Sequence, residues 1–466
     1  MMRQSTVQTT GTRARRRVWG SAAALIVCVA GCETINNVTA SVTDTVKDAV
    51  TPPPPGKREV DVYAGEPDVR VRIAKSQREA AVSGPQRFVV RAVAGSRSAV
   101  RPASLPGPLM IVSGDRGVVM REATGKEMSF GFGVDVEVLA SDGTPDGAAE
   151  AAGESIYLAG KAYPGFLTIR PSWNDTPAQF DVTVSMPVEA YLPGVLSKEL
   201  IKDWPRQAFE AQAVAARTYA LQERSRARRE GRTSDVEDST ADQVFGGTSN
   251  LVVAVEATRA TRGMVLTDNG KLIRAYFSST CGGRAASAAE TWPMKSGREF
   301  NKAGPLQGQP RTIACQRAPL YRWTVVRPLD DVTARLRAFG RGKKPEMATL
   351  GRLRTIQPAT RNSVQRPNSY TIADSAGHEY TLTAEELREA LNWPLTGFPP
   401  ITRDNRIHSG DFEVLIYGTE VRFAGRGFGH GVGLCQWCAK GMADSGMDWR
   451  SMIEQFYPGA TVIKLY

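Results

Sequence analysis

The sequence predicts an α+β fold, in which a mostly β N-terminal domain precedes a mixed α+β domain. Short alternating segments, such as residues 69–73 and 88–92, are separated by Gly, Pro, Asp and Ser, a pattern typical of strands joined by turns. The periodicity becomes helical between residues 187 and 232, and strand patterns return at residues 264–267 and 272–277. Hydrophobic residues make up 41% of the 466 residues, which is enough for packed cores.

The first 31 residues are typical of an export signal. Several arginines precede an apolar run, residues 22–30, that is too short to cross a bilayer as a helix. The run ends at Gly31-Cys32 and resembles a lipobox, in which the cysteine thiol takes the lipid. Residues 1–31 are therefore predicted to be a lipoprotein signal peptide, and Cys32 to anchor an extracytoplasmic lipoprotein of the cell envelope. An ordinary signal peptide is the alternative.

The mature chain is predicted to be only mildly basic. Removing residues 1–31 takes away five arginines and no acid, so the formal charge falls from +11 to +6. That excess suits anionic wall polymers or lipid surfaces, and no basic run with interleaved aromatics indicates a nucleic-acid partner. Residues 32–57 are polar and end in four prolines and Gly56, which predicts a tether.

Two domains follow this tether in our interpretation. Residues 58–184 form the β-rich N-terminal domain and residues 185–466 the α+β domain. The basic, turn-rich segment 327–369 is expected to be an insertion or a long surface loop.

Local signals indicate where the helices of the second domain begin. Pro193 fits the first turn of one helix, and Pro205 opens a longer one. Thr383 and Glu386 have the spacing of a capping box, which predicts a short helix ending before Pro394.

Three stretches of the second domain carry recognisable motifs: residues 186–221, including Glu199, Trp204 and Pro205; residues 242–283, from Asp-Gln-Val-Phe-Gly-Gly to Ser-Ser-Thr-Cys-Gly-Gly; and the glycine-rich residues 425–436. In this order they resemble the SpoIID/LytB family, named for a sporulation protein that cleaves peptidoglycan glycan strands and for an amidase enhancer. The resemblance covers roughly residues 185–466. It does not extend to a role in sporulation.

Glu199 is the predicted catalytic residue. On a helix it shares the apolar face of Val195 and Leu196, and partial desolvation raises the pKa of a carboxyl, as a general acid requires. The resemblance implies that the matching glutamate acts in cleavage of glycan strands. A lone glutamate favours lytic transglycosylation over hydrolysis, because most glycoside hydrolases need two carboxylates. An ion pair with Arg217 is the structural alternative for Glu199.

The family motifs also supply candidate substrate-binding residues, each with a structural role as the alternative. These are Arg217, Tyr219, Gln243, Ser278 and His430. His378 and His408 are expected to be surface residues without a role. The rival hypothesis is that the chain is a non-catalytic peptidoglycan-binding protein that stimulates an amidase. A third hypothesis is a structural envelope protein with a degenerate site.

Four cysteines remain after signal removal and lipidation: Cys281, Cys315, Cys435 and Cys438. Disulfides are the default in an oxidising compartment. Some family members hold zinc near the segment that matches Cys281, but serines replace the expected histidine here. A four-cysteine structural zinc site is the alternative to disulfides, and the predicted reaction itself requires no cofactor.

Overall fold

The computed structural model describes residues 65–93, 101–114, 117–131, 133–141, 155–172, 178–239, 242–292 and 297–466. The predicted signal peptide, Cys32 and the tether lie outside these residues. Within them, no helix is both long and apolar enough to cross a membrane.

Strands alone make up the regular structure of the N-terminal part that the structure describes. The strands are β1 (Asp68–Gln77), β2 (Glu79–Ser83), β3 (Arg87–Ala92), β4 (Ala103–Pro106), β5 (Leu109–Gly114), β6 (Gly117–Glu122), β7 (Glu127–Phe130), β8 (Val136–Ser141), β9 (Ile156–Leu158), β10 (Lys161–Tyr163), β11 (Phe166–Ser172) and β12 (Gln179–Pro187). A later strand, β13 (Val236–Glu237), follows two helices in the chain and joins the edge of one of their sheets. Together these strands form a seven-stranded sheet, ordered β13-β1-β12-β11-β8-β3-β4, and a six-stranded sheet, ordered β10-β9-β2-β5-β6-β7. Their alternating burial confirms the predicted β-rich character.

In the part of the chain that the structure describes, every α-helix follows β12, which crosses the predicted boundary at residue 184 and leads directly into the first helix. The helices are α1 (Val188–Glu199), α2 (Arg206–Arg229), α3 (Val252–Ala260), α4 (Ala288–Thr291), α5 (Leu329–Lys343), α6 (Ala384–Leu391), α7 (Gln436–Asp444) and α8 (Trp449–Phe456). Pro205 is the N-cap of α2, as its position predicts. The capping box is also confirmed, because Thr383 and Glu386 exchange both hydrogen bonds at the start of α6.

The later strands form small sheets. They are β14 (Met264–Asp268), β15 (Lys271–Leu272), β16 (Phe277–Ser278), β17 (Arg322–Pro328), β18 (Leu353–Arg361), β19 (Pro367–Asp374), β20 (Glu379–Thr383), β21 (Phe412–Tyr417), β22 (Glu420–Arg426), β23 (Leu434–Cys435) and β24 (Thr461–Lys464). The sheet orders are β15-β14-β24, β17-β22-β21 and β18-β19-β20, and β16 pairs in parallel with β23. This mixture with the helices confirms the α+β fold class.

Segment 327–369 is not a long surface loop, which is one of the two alternatives predicted from its basic, turn-rich composition; the other alternative, an insertion, stays a prediction. The segment contains α5, β18 and the start of β19, and it contributes to a hydrophobic core with members such as Val332, Leu336 and Ile372. Some of its basic residues, such as Arg341, Arg354 and Arg361, lie at exposed positions of these elements, whereas Arg327, Arg335 and Arg366 are buried. Composition alone therefore hid the apolar positions that alternate with them.

One larger hydrophobic core joins the β-rich part to the helices. It includes Val71 and Val184 from the seven-stranded sheet, Tyr191 from α1, Val214 from α2 and Met452 from α8. Burial of such apolar side chains contributes about 1.5–3 kcal/mol each. The end of α1 is therefore held against a packed scaffold.

Candidate functional site

Glu199 is the last residue of α1, and its side chain is buried among the helices. Its exposed fraction is 1%. The amide of Gln436, the first residue of α7, donates a hydrogen bond to Glu199 Oε2 over 3.1 Å. Burial raises the pKa of Glu199 from 4.5 to about 7, although hydrogen bonds from Gln436 and the Val244 backbone act in the opposite direction. This carboxyl can hold or release a proton near neutral pH.

Helix α1 begins earlier than the sequence predicts. Its N-cap is Pro187, and Pro193 lies inside the helix rather than in the first turn. The shift does not change which residues share a face, since Val195, Leu196 and Glu199 are all buried as predicted. A proline inside a helix removes one backbone hydrogen bond. Packing by the buried face compensates for that loss here.

A glycine lets α1 lie very close to the segment that follows Gln243. A Cβ built on Gly194 would meet the carbonyl oxygen of Gly247 at 2.2 Å and the ring of Phe245 at 2.5 Å. Backbone contact is closed by the Gly246 N–H, which donates to Gly194 O over 3.2 Å. Any residue with a Cβ at this position would prevent the approach. Gly194 therefore sets the distance between α1, which carries Glu199, and the second family motif.

Gln243 lies inside this contact and bridges α1 to α2. Its side-chain oxygen accepts a hydrogen bond from Tyr191 over 3.1 Å, and its Nε2 donates to Ala216 O over 3.4 Å. Gln243 is fully buried. Its substrate-binding role stays a prediction. In the structure its side chain hydrogen-bonds to Tyr191 and Ala216, which are parts of the packed helices.

Arg217 pairs with Glu189 and not with Glu199, so the ion pair considered as the alternative for Glu199 is wrong. Its Nε and Nη2 donate to the two carboxylate oxygens of Glu189, each over 2.9 Å. Further donors reach the carbonyl oxygens of Thr258 and Met264. The guanidinium is fully buried and joins α1, α2 and the end of α3. Substrate binding by Arg217 stays a prediction.

Tyr219 belongs to a buried charged network that the sequence analysis missed. Its hydroxyl donates to Asp242 Oδ1 and accepts from Arg274 Nη2, each over 2.9 Å. Arg274 also contacts Glu223 at 2.7 Å. The position of Asp242 in the second motif was the available signal, whereas no local pattern marked Arg274 or Glu223.

The two acids in this network, Asp242 and Glu223, have pKa values that are shifted in opposite directions. Burial raises the pKa of Asp242 to about 6, and the nearby Glu223 charge adds to the rise. Burial also acts to raise the pKa of Glu223, but the guanidinium groups of Arg274, Arg226 and Arg232 outweigh it and lower that pKa. Glu223 therefore carries the negative charge that balances the buried Arg274.

His430 braces the glycine-rich third motif. Its Nε2 lies 2.9 Å from Phe277 O, and its Nδ1 accepts the Val432 N–H over 3.0 Å, which fixes the proton on Nε2. Burial lowers the pKa of His430 to about 3, so the ring is neutral. Ser278 supports the same turn by accepting the Gly431 N–H over 3.2 Å. Both residues are buried, and their substrate-binding roles stay predictions.

The two remaining histidines differ from each other. His378 has a side chain that is 62% exposed and lies 3.1 Å from Asp374, as expected for a surface residue. His408 is not at the surface: it packs edge-on against Trp323 and Phe428, with ring centroids 5.4 Å apart in both cases. Its polar sequence neighbours did not reveal this tertiary packing.

The four cysteines are free thiols and form one buried cluster, so the default expectation of disulfides is not what the structure has. Cys281 Sγ lies 3.8 Å from Cys315 Sγ and 3.9 Å from Cys438 Sγ. All four sulfur atoms lie within 4.8 Å of one another. This donor set and spacing fit a metal ion that prefers thiolates.

Gln436 is the site residue to which the sequence analysis assigned no role. It closes the third family motif, but only the fold brings α7 to the end of α1. Its neighbour Trp437 packs edge-on against Trp204, with ring centroids 5.1 Å apart. The first turn of α7 therefore contacts the glutamate helix and the segment that follows it.

The described part of the chain also has clefts away from Glu199. One of about 450 Å³ is lined by residues in or next to β17, β21 and β22, including Arg322, Asp411 and Arg426. A much smaller one is lined by His430, Arg366 and Glu290. The larger cleft contains none of the residues that the sequence analysis selected.

In comparisons with known proteins, two family models match separate segments of the chain. The family model "Stage II sporulation protein" (SpoIID) matches residues 177–267, and a domain of unknown function (DUF8618) matches residues 295–433. The first match contains α1, α2 and Glu199. The second contains the folded segment 327–369.

Several curated proteins are similar to this chain. An uncharacterized protein of Brachyspira hyodysenteriae is 28% identical over 66% of the chain and 74% of its own length. The amidase enhancer of Bacillus subtilis is 28% identical over 58% of the chain and 40% of its own length. Stage II sporulation protein D of Bacillus subtilis is 25% identical over 60% of the chain and 75% of its own length. Together with the ordered motifs and the SpoIID model over residues 177–267, these matches support the chain as a member of the SpoIID/LytB family.

Proposed function

We propose that this protein cleaves the glycan strands of peptidoglycan by lytic transglycosylation, with Glu199 as general acid and then general base. The observation that carries the proposal is the buried carboxyl of Glu199, whose pKa of about 7 lets it exist in both protonation states at neutral pH. Membership of the SpoIID/LytB family supports a substrate in the cell wall.

The reaction needs only one carboxyl group. Protonated Glu199 donates its proton to the glycosidic oxygen as the bond between that oxygen and the anomeric carbon of a muramic acid breaks. The 6-hydroxyl of the same muramic acid then attacks that carbon, and the Glu199 carboxylate accepts the hydroxyl proton. The products are a shortened strand and an anhydro-muramic end. Water does not enter the reaction, so no second carboxylate is required to activate it.

Access to Glu199 requires a local movement, because only 1% of the residue is exposed. The carboxyl already accepts hydrogen bonds from Gln436 and from the Val244 backbone. We expect a bound glycan to displace one of these groups and to put a glycosidic oxygen in its place. Such gating also excludes water from the cleavage step.

A second candidate function is favoured by that same burial. A protein whose glutamate never meets the sugar would act as a non-catalytic, wall-binding stimulator of an amidase. The similar protein of Bacillus subtilis is named amidase enhancer, and this chain covers 40% of its length. The two candidates differ in whether the protein alone changes the glycan.

The decisive experiment is digestion of purified, peptide-free glycan strands, followed by mass analysis of the ends. Wild-type protein is expected to yield anhydro-muramic ends. Glu199→Gln keeps the side-chain shape, and its activity is expected to fall by at least ~10²-fold, as for removal of a general acid. Glu454→Gln changes an exposed glutamate and is the matched control, which should cleave like wild type.

Three results would contradict the proposal. They are wild-type cleavage rates in Glu199→Gln, reducing ends as the sole products, and no cleavage by either protein. In the last case, stimulation of an N-acetylmuramoyl-L-alanine amidase by both proteins would support the enhancer function instead.

A further inference from the structure

Four thiols from three distant segments meet in one buried cluster. Cys281 lies in the turn after β16, Cys315 in the segment before β17, and Cys435 and Cys438 at the start of α7. Cys281 and Cys315 are 34 positions apart in the chain, and Cys281 and Cys438 are 157 positions apart. A bond among them would therefore join parts of the chain that only the tertiary fold brings together.

The spacing of the sulfur atoms matches tetrahedral metal coordination. With metal–sulfur bonds of about 2.3 Å, a tetrahedral zinc site places its sulfur atoms about 3.8 Å apart. The distances from Cys281 Sγ are 3.8 and 3.9 Å. Cys435 Sγ also accepts the N–H groups of Cys281, over 3.3 Å, and Cys438, over 3.4 Å. Such backbone donors stabilise a sulfur atom that carries negative charge.

A buried guanidinium adjoins the cluster. Arg311 interacts with Cys281, Cys435 and Cys438. Its Nε and Nη2 are shielded from solvent and have no hydrogen-bond acceptor within the described part of the chain. A zinc ion with four thiolates carries a net charge of −2, so a neighbouring cation offsets part of it. Four neutral thiols would leave this guanidinium without an anionic partner there.

The two residues between Cys435 and Cys438 are the ones that contact the glutamate region. The amide of Gln436 donates to Glu199, and the ring of Trp437 packs on Trp204. Whatever fixes Cys435 and Cys438 therefore also fixes these two side chains.

We propose that Cys281, Cys315, Cys435 and Cys438 bind one structural zinc ion, which holds the first turn of α7 so that Gln436 meets Glu199. The four thiols release their protons as the metal binds. All four ligand positions are filled by protein, so the ion is closed to substrate and serves to position α7. Metal binding does not depend on the proposed glycan cleavage, and it is tested without an activity assay.

The first test measures metal and thiols on the full-length protein purified without added reductant. We expect about one zinc per chain. After denaturation with a chelator, all four cysteines should be alkylated in peptide mass analysis. Absence of zinc together with unalkylated cysteines would mean disulfides and would overturn the proposal. Free thiols that take up no added zinc would overturn it as well.

Matched variants at one ligand test the coordination set. Cys315→Ser is expected to lose the zinc ion, whereas Cys315→His should retain it because histidine is also a zinc ligand. With Co²⁺ in place of zinc, wild type should show the absorption bands of tetrahedral thiolate coordination. Full zinc occupancy and unchanged affinity in Cys315→Ser would exclude Cys315 as a ligand and overturn the four-cysteine site.

Hydrogen exchange tests the positioning of α7. Chelation of the wild-type protein should speed amide exchange in residues 434–444 and at the end of α1, while the six-stranded sheet keeps its protection. Unchanged exchange in residues 434–444 after the metal has been removed would contradict the positioning role. The same measurement on Cys315→His should resemble metal-bound wild type.

Discussion

Burial of Glu199 has opposite consequences for chemistry and for stability. The pKa of this carboxyl is about 7 in the folded protein, against its ordinary 4.5 in an unfolded chain. Between these two values the unfolded chain releases a proton that the folded protein retains. The contribution of Glu199 to the free energy of unfolding is therefore greatest below about pH 4.5, falls as the pH rises to about 7, and stays constant above that. The difference corresponds to about 3 kcal/mol.

Glu199→Gln should consequently be more stable than wild type at high pH. At pH 8 we expect a gain of up to about 3 kcal/mol, since glutamine has no charge to bury, and little change at pH 4. Unfolding in urea at both pH values provides the measurement. Glu454→Gln should change neither midpoint. An equal effect of Glu199→Gln at the two pH values would show that the pKa of Glu199 is not raised.

Gln436 offers a test of how the pKa of Glu199 is set. Its hydrogen bond favours the carboxylate, so Gln436→Leu should raise the pKa of Glu199 further. General-acid cleavage declines as pH rises through that pKa, and the decline should therefore move to higher pH in the variant. The pH profile of kcat/KM is the readout. Gln357→Leu, at an exposed position of β18, is the control, and coincident profiles of wild type and Gln436→Leu would refute the coupling.

At the scale of elements, the contact between α1 and α2 depends on a buried ion pair. Arg217 and Glu189 form two hydrogen bonds, and Tyr466 near the C-terminus also donates to Glu189. Because the guanidinium is fully buried, removing either partner leaves a charge without its counterpart. The pair fixes the helix that carries Glu199 without contacting that residue.

Arg217→Met is expected to destabilise the protein by about 3–5 kcal/mol, because Glu189 loses its buried partner. The double variant Arg217→Met/Glu189→Met should recover much of this loss, since two apolar side chains can pack where the ions were. Urea unfolding of the single and double variants measures the coupling. Additive losses in the two single variants would contradict the ion-pair explanation.

Local signals predicted elements well where residues adjacent in sequence set the start of a helix. The capping box at Thr383 and the proline cap of α2 are examples, because each depends on neighbours in sequence. Pro193 misled the prediction, since tertiary packing of α1 tolerates a proline inside the helix. Segment 327–369 misled it too, because its apolar positions are spread among basic ones.

On the scale of the whole molecule, we propose that the chain is anchored in the cell envelope through Cys32. Cys32→Ala is expected to release the protein from membranes or to block its processing, because position 32 of the lipobox then has no thiol to take the lipid. Membrane fractionation and the mass of the mature protein provide the readouts. Cys315→His, which leaves the lipobox intact, should fractionate like wild type. Unchanged fractionation and an unshifted mature mass of Cys32→Ala would refute the anchor.

The sequence by itself determined the α+β class, the β-rich first part, the resemblance to the SpoIID/LytB family and the burial of the candidate residue Glu199. These follow from local periodicity and from motifs that are continuous in the chain. Only the tertiary structure decided that Arg217 pairs with Glu189, that Gln436 meets Glu199, and that four thiols converge. Such contacts join residues up to 237 positions apart, and they form because buried polar groups must find partners wherever the packed core brings chain segments together.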